Sequence, residues 1–307
     1  MAIPKSEWIW HNGQFVKWDE ANVHIMTHAL HYGSSVFEGI RVYAHPKGTA
    51  ILGLDAHVRR LFDSCHIMRM ELSFSQDEIK SVIVETVKRN QHSSCYIRPL
   101  AYKSTGTISM DARGIPTDLA IITFEMGRYL GIDAIEQGVD AMVSSWRRMA
   151  PDTLAALSKT GANYVNSQFV TMDAVDAGYV EGITLDVSGM VSEGSGENVF
   201  LIRDGIIYTP PVSASILLGI TRGYVITLAR EMGYEVREET FPREMLYIAD
   251  ELFFTGTAVE ISPIRSVDKI KIGNGSRGPI AKKLQDEFFS VLNGTKPDKH
   301  NWLTFVK

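Results

Sequence analysis

Lys159 stands in the run Ala156-Leu157-Ser158-Lys159-Thr160-Gly161-Ala162-Asn163-Tyr164, between an apolar stretch and a helix start. A lone lysine is ordinarily a solvated charge. Beside an aldehyde and an acid that pairs with a ring nitrogen, the same amine forms a Schiff base. Three further segments could serve such an amine. Ser192-Glu193-Gly194-Ser195-Gly196-Glu197-Asn198 sets two carboxylates and an amide among small residues, just ahead of an apolar strand. Small residues let a ligand approach the backbone closely. A carboxylate held there could pair with a cationic ring nitrogen, although a surface turn with solvated acids has the same composition. Leu217-Leu218-Gly219-Ile220-Thr221-Arg222 opens a helix, where free N–H groups and a positive dipole end suit a phosphate, with Thr221 able to cap and to donate its hydroxyl. Phe254-Thr255-Gly256-Thr257-Ala258-Val259 follows a strand with another amide- and hydroxyl-rich loop for an anion. Read singly, each segment is also an ordinary cap or turn.

Three other constellations carry less. Gly273 to Gly278 fits G-x-G-x-x-G, but only about one helix follows it, so no βαβ unit can be completed and a surface loop is expected. His24, His28 and His31 fall at helical spacing, yet no carboxylate stands at metalloprotease spacing; structural histidines are expected, and no metal. Ile67-Met68-Arg69-Met70 reads as core filler.

The elements that must position these groups fall in an α+β order. Trp8 to Trp18 reads as a hairpin turning at Asn12-Gly13. A second hairpin runs from Val36 through Tyr43, turns at His45-Pro46-Lys47-Gly48 and returns along Ala50 to Leu54. Asp55 is placed as the N-cap of a helix carrying Val58, Leu61, Phe62 and Cys65 on one face. A helix over Gln76 to Arg89 and strands around Cys95 to Tyr102 and Leu119 to Glu125 complete the first half. The boundaries are set at residues 1–126 for a small N-terminal domain, 127–138 for a linker and 139–307 for a larger domain. In the larger part, strands are expected near Val139 to Trp146, Gly182 to Asp186, Asn198 to Arg203, Ile206 to Thr209, Phe253 to Thr255 and Ile264 to Ile270. Helices are expected over Gly161 to Asp176, from a Thr221 cap to Met232, and from Pro279, where Ile280, Leu284, Phe288 and Val291 share a face.

Charge and cysteine content exclude some classes. The 307 residues carry a net charge of −5 with no long basic run, which argues against a nucleic-acid partner. No apolar stretch approaches the length of a transmembrane helix, and the first residues lack the blocks of a signal peptide. The two cysteines, Cys65 and Cys95, form no disulfide framework, and a reducing cytoplasm is expected.

Taken in order, the Lys159 to Tyr164, Ser192 to Asn198, helix-start and Thr257 segments, with His31-Tyr32-Gly33 and Phe37-Glu38-Gly39-Ile40-Arg41, closely resemble the fold-type IV pyridoxal-phosphate enzymes. Within them the chain is most similar to the branched-chain amino acid aminotransferases, from about Trp10 to Trp302. The resemblance implies a two-domain fold, with a small α/β N-terminal domain and a larger pseudo-barrel C-terminal domain. It implies pyridoxal 5'-phosphate as cofactor. The implied activity is a ping-pong transfer of the amino group of L-leucine, L-isoleucine or L-valine to 2-oxoglutarate. D-amino-acid aminotransferase, (R)-selective amine transaminase and aminodeoxychorismate lyase share the fold and remain the alternatives; the Tyr96-Ile97-Arg98-Pro99-Leu100 strand favours the branched-chain group.

By the same resemblance Lys159 is the catalytic, cofactor-holding lysine, Glu193 the acid at the pyridine nitrogen and Tyr164 the tyrosine at the phenolic oxygen. Arg60, Ile220, Thr221 and Thr257 match the phosphate contacts, and Leu217 an apolar residue against the ring. A guanidinium fork suits a phosphate dianion. Arg59 is adjacent and, on a helix, points elsewhere. Tyr96 and Arg98 share one strand face by period two and are assigned to carboxylate handling. Thr257 and Ala258 would supply N–H groups to the α-carboxylate; Phe37, Tyr129 and Tyr164 would line an apolar pocket, with core packing as the rival role for Phe37 and Tyr129. Tyr32 would reach a neighbouring subunit's site, which implies at least a dimer. Two departures bear on the side-chain preference. The Lys103 to Asp111 loop is less glycine-rich than the family pattern, and Met126 stands where a tryptophan is familiar.

Overall fold

In a computed structural model, residues 4–127, 130 and 133–307 are described. Tyr129 lies outside the described residues. The strands of the first half are β1 (Trp8–His11), β2 (Gln14–Lys17), β3 (Ser35–Phe37), β4 (Ile40–His45), β5 (Gly48–Leu52), β6 (Cys95–Lys103) and β7 (Thr117–Phe124). They continue with β8 (Val139–Arg147), β9 (Glu181–Leu185), β10 (Val191–Gly194), β11 (Asn198–Arg203) and β12 (Ile206–Thr209). The last are β13 (Val236–Glu238), β14 (Glu251–Gly256), β15 (Glu260–Val267), β16 (Ile270–Lys271) and β17 (Leu303–Phe305).

Two compact units result: Met1–Met126 with Ser158–Ala162 and Ser290–Lys307, and Gly127–Leu157 with Asn163–Phe289. Two segments from beyond the 127–138 stretch thus pack into the first unit, and hydrogen bonding explains both. Thr160 bridges to Val36, and β17 pairs with β5 through Leu303, Thr304 and Phe305.

The first unit is a largely antiparallel sheet in the order β17-β5-β4-β6-β7-β1-β2, with β3 on β6. Its opening hairpin turns where expected: Asn12 and Gly13 both take positive φ, 46° and 95°, the pairing a two-residue turn requires. The second hairpin differs from expectation. The backbone breaks at Glu38-Gly39, so that β3 leaves β4 and pairs with β6 through Val36 and Ala101. A Cβ on Gly39 would clash with Tyr96 Oη, so the tyrosine requires a bare Cα there. The helix Leu54–Ile67 begins at Gly53, at φ 69°, rather than at Asp55. Its first turn closes from His57 N–H onto Gly53 O at 2.9 Å, which leaves Asp55 inside the helix. Val58, Leu61 and Cys65 pack with Ile79, Ile83 and Val87 of the Gln76–Arg89 helix beneath Val42, Ile51 and Ile97. Burial pushes the Cys65 and Cys95 thiols up to about 12, so both are inert apolar side chains.

The second unit is a mixed sheet in the order β10-β9-β8-β15-β14-β11-β12-β13, with β16 on β15. β8 runs parallel to both β9 and β15. Its core includes Val199, Leu201, Leu252 and Phe254 from adjacent strands. The helix Ile220–Glu231 starts from Gly219, not Thr221, which sits buried in the first turn. Among the described residues, no helix is long and apolar enough to cross a membrane.

Candidate active site

In the first unit the break after β3 organises the chemistry. Lys159 O accepts the Phe37 N–H at 3.0 Å, which holds the two backbones side by side. The Lys159 amine then lies 4.9 Å from the centre of the Phe37 ring. Arg98 places its guanidinium carbon 4.6 Å from the same ring and 5.4 Å from that of Tyr96. Tyr96 and Arg98 therefore do share a face of β6, and two cations lie near the Phe37 ring. Arg98 Nε is buried and has no hydrogen-bond partner. A buried, unsatisfied donor on a cation costs more than a paired one, so it favours an incoming anion.

Next to Phe37, Glu38 is fully buried. Its carboxylate accepts Arg60 Nε at 2.6 Å, Arg60 Nη2 at 2.9 Å and His57 Nδ1 at 2.7 Å. Burial alone would raise its pKa, but Arg60 and His57 outweigh it and hold the carboxyl well below the usual range. Burial keeps His57 neutral, with Glu38 opposing and the positive charges of Arg60 and Lys159 assisting. Arg60 is thus aimed through one edge of its fork, at 13% side-chain exposure, while Arg59 is 79% exposed. The Leu54–Ile67 helix also carries Ser64, whose Oγ accepts the Lys159 N–H at 3.1 Å.

In the second unit Glu193 is buried. Arg148 Nη2 donates to its Oε1 at 2.5 Å; Asn198 Nδ2 and the Leu217 N–H donate to Oε2 at 3.0 and 3.1 Å. Asn198 also holds Leu217 O at 2.9 Å and abuts Gly219, where a Cβ would clash with its Oδ1. The amide therefore ties the acid to the helix start bearing Ile220 and Thr221. That helix start has no side-chain cap on its N–H groups. Thr257 and Ala258 lie in the turn between β14 and β15, and Tyr164 begins the Tyr164–Asp176 helix. Tyr32 is 43% exposed, with its hydroxyl on Ile108 O.

The residues that sequence reasoning did not assign are Glu38, His57, Ser64, Arg148 and Asn198. Glu38 and Asn198 had a signal: Glu38 follows Val36-Phe37, and Asn198 is the polar residue that opens the apolar run Val199 to Ile202. The other constellations resolve structurally. His28 bonds Ser34 and Ser109, and His31 bonds Ile25 O. Past Gly278, Glu251 accepts the Ile280 and Ala281 N–H groups at 2.9 and 2.8 Å, occupying the helix end that a nucleotide phosphate would need.

The first unit thus holds an amine against an aromatic face, and the second a buried acid fixed by an arginine. The amino-transferase class IV family matches residues 35–267. The branched-chain-amino-acid aminotransferase of Escherichia coli (strain K12) is 48% identical over 309 aligned positions, covering 100% of this chain and 99% of that protein. That of Pseudomonas aeruginosa is 44% identical, covering 97% of each. The crystal structure of the Escherichia coli enzyme aligns with TM-score 0.97 at 48% identity, covering 99% of this chain and 100% of that one. The branched-chain amino acid aminotransferase of Thermobaculum terrenum in its PLP form gives 0.92 at 36% identity, covering 99% of each chain. The chain belongs to the class IV aminotransferase family, whose enzymes use pyridoxal phosphate.

Proposed function

We propose that this enzyme moves the amino group of L-leucine, L-isoleucine or L-valine to 2-oxoglutarate. The observation that carries the reading is the 48% identity to a branched-chain enzyme along the whole chain. The residues fit pyridoxal phosphate by their donor set: an amine for the aldehyde, a fixed carboxylate for the ring nitrogen, and an arginine and uncapped helix N–H groups for the phosphate. When bound, that group supplies an electrophilic carbon and an electron-withdrawing ring.

Lys159 Nζ holds the cofactor and then carries a proton to and from the substrate Cα, which requires the neutral amine at that step. Glu193 accepts the ring N–H, and hydrogen bonds from Arg148, Asn198 and the Leu217 N–H orient it. Tyr164 serves the phenolic oxygen and Leu217 packs on the ring. Arg60, Ile220, Thr221 and Thr257 hold the phosphate. Thr257 and Ala258 N–H groups take the α-carboxylate, while Phe37, Tyr164 and Tyr129 line the side-chain pocket. Tyr96 and Arg98 handle the second carboxylate of 2-oxoglutarate; the unpartnered Arg98 Nε supports this.

Tyr32 contributes to a second subunit's site in a dimer or larger homo-oligomer. Exposed apolar side chains nearby, Leu30 in the same helix and Ile25, whose carbonyl bonds His31, support such burial. The enzyme works in the cytoplasm. Coupled turnover of L-leucine with 2-oxoglutarate tests the assignment, and activity confined to D-alanine would sink it. The purified protein should be yellow, and Lys159→Ala should not retain a borohydride-reducible cofactor.

A further inference from the structure

A second acid of the Ser192–Asn198 segment is folded inward. Glu197 is 5% exposed, and Glu181 on β9 is 2% exposed. Gly194 of β10 pairs with Ile183 of β9. A side chain at 194 would therefore share a face with Ile183 and, two residues along, with Glu181. Gly194 has none, and Glu197 fills that space: its Cγ and Cδ come within 3.0 and 3.1 Å of where the Cβ would be. This sets Glu197 in the buried space over the sheet face that carries Glu181.

Each accepts one backbone N–H, from Gly182 to Glu181 Oε1 at 2.7 Å and from Gly196 to Glu197 Oε2 at 2.8 Å. Glu197 Oε1 is buried with no donor. The charged groups facing Glu197 are Glu181 and Glu193, both acidic. Two adjacent ionised carboxylates out of water would suffer both mutual repulsion and the loss of hydration. One proton between them relieves both and gives Glu197 Oε1 a hydrogen bond to make.

We propose that Glu181 and Glu197 share a single proton, carried on Glu197, and that this pair is a positioning device for Asn198 and hence for Glu193. Asn198 follows Glu197 directly and donates to Glu193 Oε2 at 3.0 Å. The functional half of the inference rests on Glu193 serving the cofactor ring; the shared proton does not. Burial first, and then the Glu181 charge, pushes the Glu197 carboxyl well above the ordinary range. A raised folded-state pKa stabilises at low pH, and that contribution is lost as pH rises through it.

Infrared difference spectra of the holoenzyme at neutral pH, wild type minus Glu197→Gln, test the proton. The expected result is one protonated-carboxyl band in the wild type, absent from the variant. As pH rises from about 4.5 through the raised Glu197 pKa, the melting temperature of Glu197→Gln should gain on the wild type. The amide still donates to Glu181, so Glu197→Gln should keep the cofactor absorption that Glu197→Ala shifts. Absence of the band, a pH-independent melting difference, or alanine matching glutamine would overturn the proposal. Should Glu197→Gln not fold, the wild type labelled with 13C at glutamate carboxyls reports the same band, which must shift with the label. A Glu193→Gln holoenzyme with unchanged cofactor absorption would refute the ring-nitrogen role while leaving the band in place, so the two failures are distinct.

Discussion

Ser64 Oγ accepts the backbone N–H of Lys159 at 3.1 Å, and Ser64 O accepts the Ser158 hydroxyl at 3.2 Å. One residue of the Leu54–Ile67 helix thus clamps the chain on both sides of the lysine amide, one helical turn from Arg60. The reach and direction of the Lys159 amine depend on this clamp, since it fixes the backbone from which that flexible side chain extends.

Replacing Ser64 by alanine removes the acceptor at a fully buried position. The loss of one such hydrogen bond costs about 1 kcal/mol. The expected outcome is a small drop in melting temperature, full cofactor stoichiometry and a several-fold fall in kcat. Single-turnover rates measured with L-leucine check it; an unchanged rate would show that the clamp does not set the amine's position.

Glu38→Gln should be far more damaging. It leaves Arg60 and His57 facing a neutral amide in the interior, and breaking a buried ion pair typically costs ~3–5 kcal/mol. Loss of Arg60 aim should also weaken cofactor retention, readable by equilibrium dialysis. The pH behaviour follows from the two shifts. Glu38 is depressed below its ordinary 4.5, so its contribution exists above that value and fades as pH falls. His57 is lowered from 6.5, so its neutral form also stabilises above that value and is penalised below it. Urea midpoints of the wild type should therefore fall below about pH 6.5 through His57 and fall further below about pH 4.5 through Glu38, and Glu38→Gln should lack the second fall.

Arg148 makes the matching case in the second unit. Besides Glu193 it donates to Asn166 Oδ1 at 3.1 Å, with its side chain 7% exposed. Arg148→Met would strand the Glu193 charge with two neutral donors and favour its protonation. We expect cofactor affinity to fall by at least about tenfold, which is about 1.4 kcal/mol, and the cofactor absorption to shift. Arg148→Lys should recover part of the affinity, because it restores the charge without the fork. Titration of the apo-enzyme with pyridoxal phosphate measures both.

What the sequence disclosed, and what it hid, divides by range. Asn12-Gly13 announces its turn because the required backbone is a property of those two residues. The face shared by Tyr96 and Arg98 is likewise local, being a period-two pattern on one strand. Lys159 and Glu193 drew attention through the segments around them. Arg148 was not: it follows Arg147, and nothing in Trp146-Arg147-Arg148 says which guanidinium turns inward to an acid 45 residues away. Glu38 broke an apolar strand visibly, yet its partners lie 19 and 22 residues on, across a hairpin. Asp55 and Thr221 were placed as caps by residue preference, while Gly53 and Gly219 took those positions. Close packing decided the second case, since Asn198 leaves no room for a side chain at 219.

In the proposed reaction two unlike substrates share one pocket, and Arg98 bears on how. Its guanidinium lies over Phe37 and Tyr96, so the same surface is apolar to a branched side chain and cationic to a carboxylate. Arg98→Leu keeps the apolar part and deletes the charge. A hydrogen bond to a charged group contributes about 1.5–3 kcal/mol. The KM for 2-oxoglutarate should accordingly rise by roughly one to two orders of magnitude. The KM for L-leucine should change less than threefold, because leucine presents nothing to that guanidinium. Steady-state kinetics with each substrate varied in turn separates the two. If both constants rose together, Arg98 would be holding Phe37 in place rather than reading the second carboxylate.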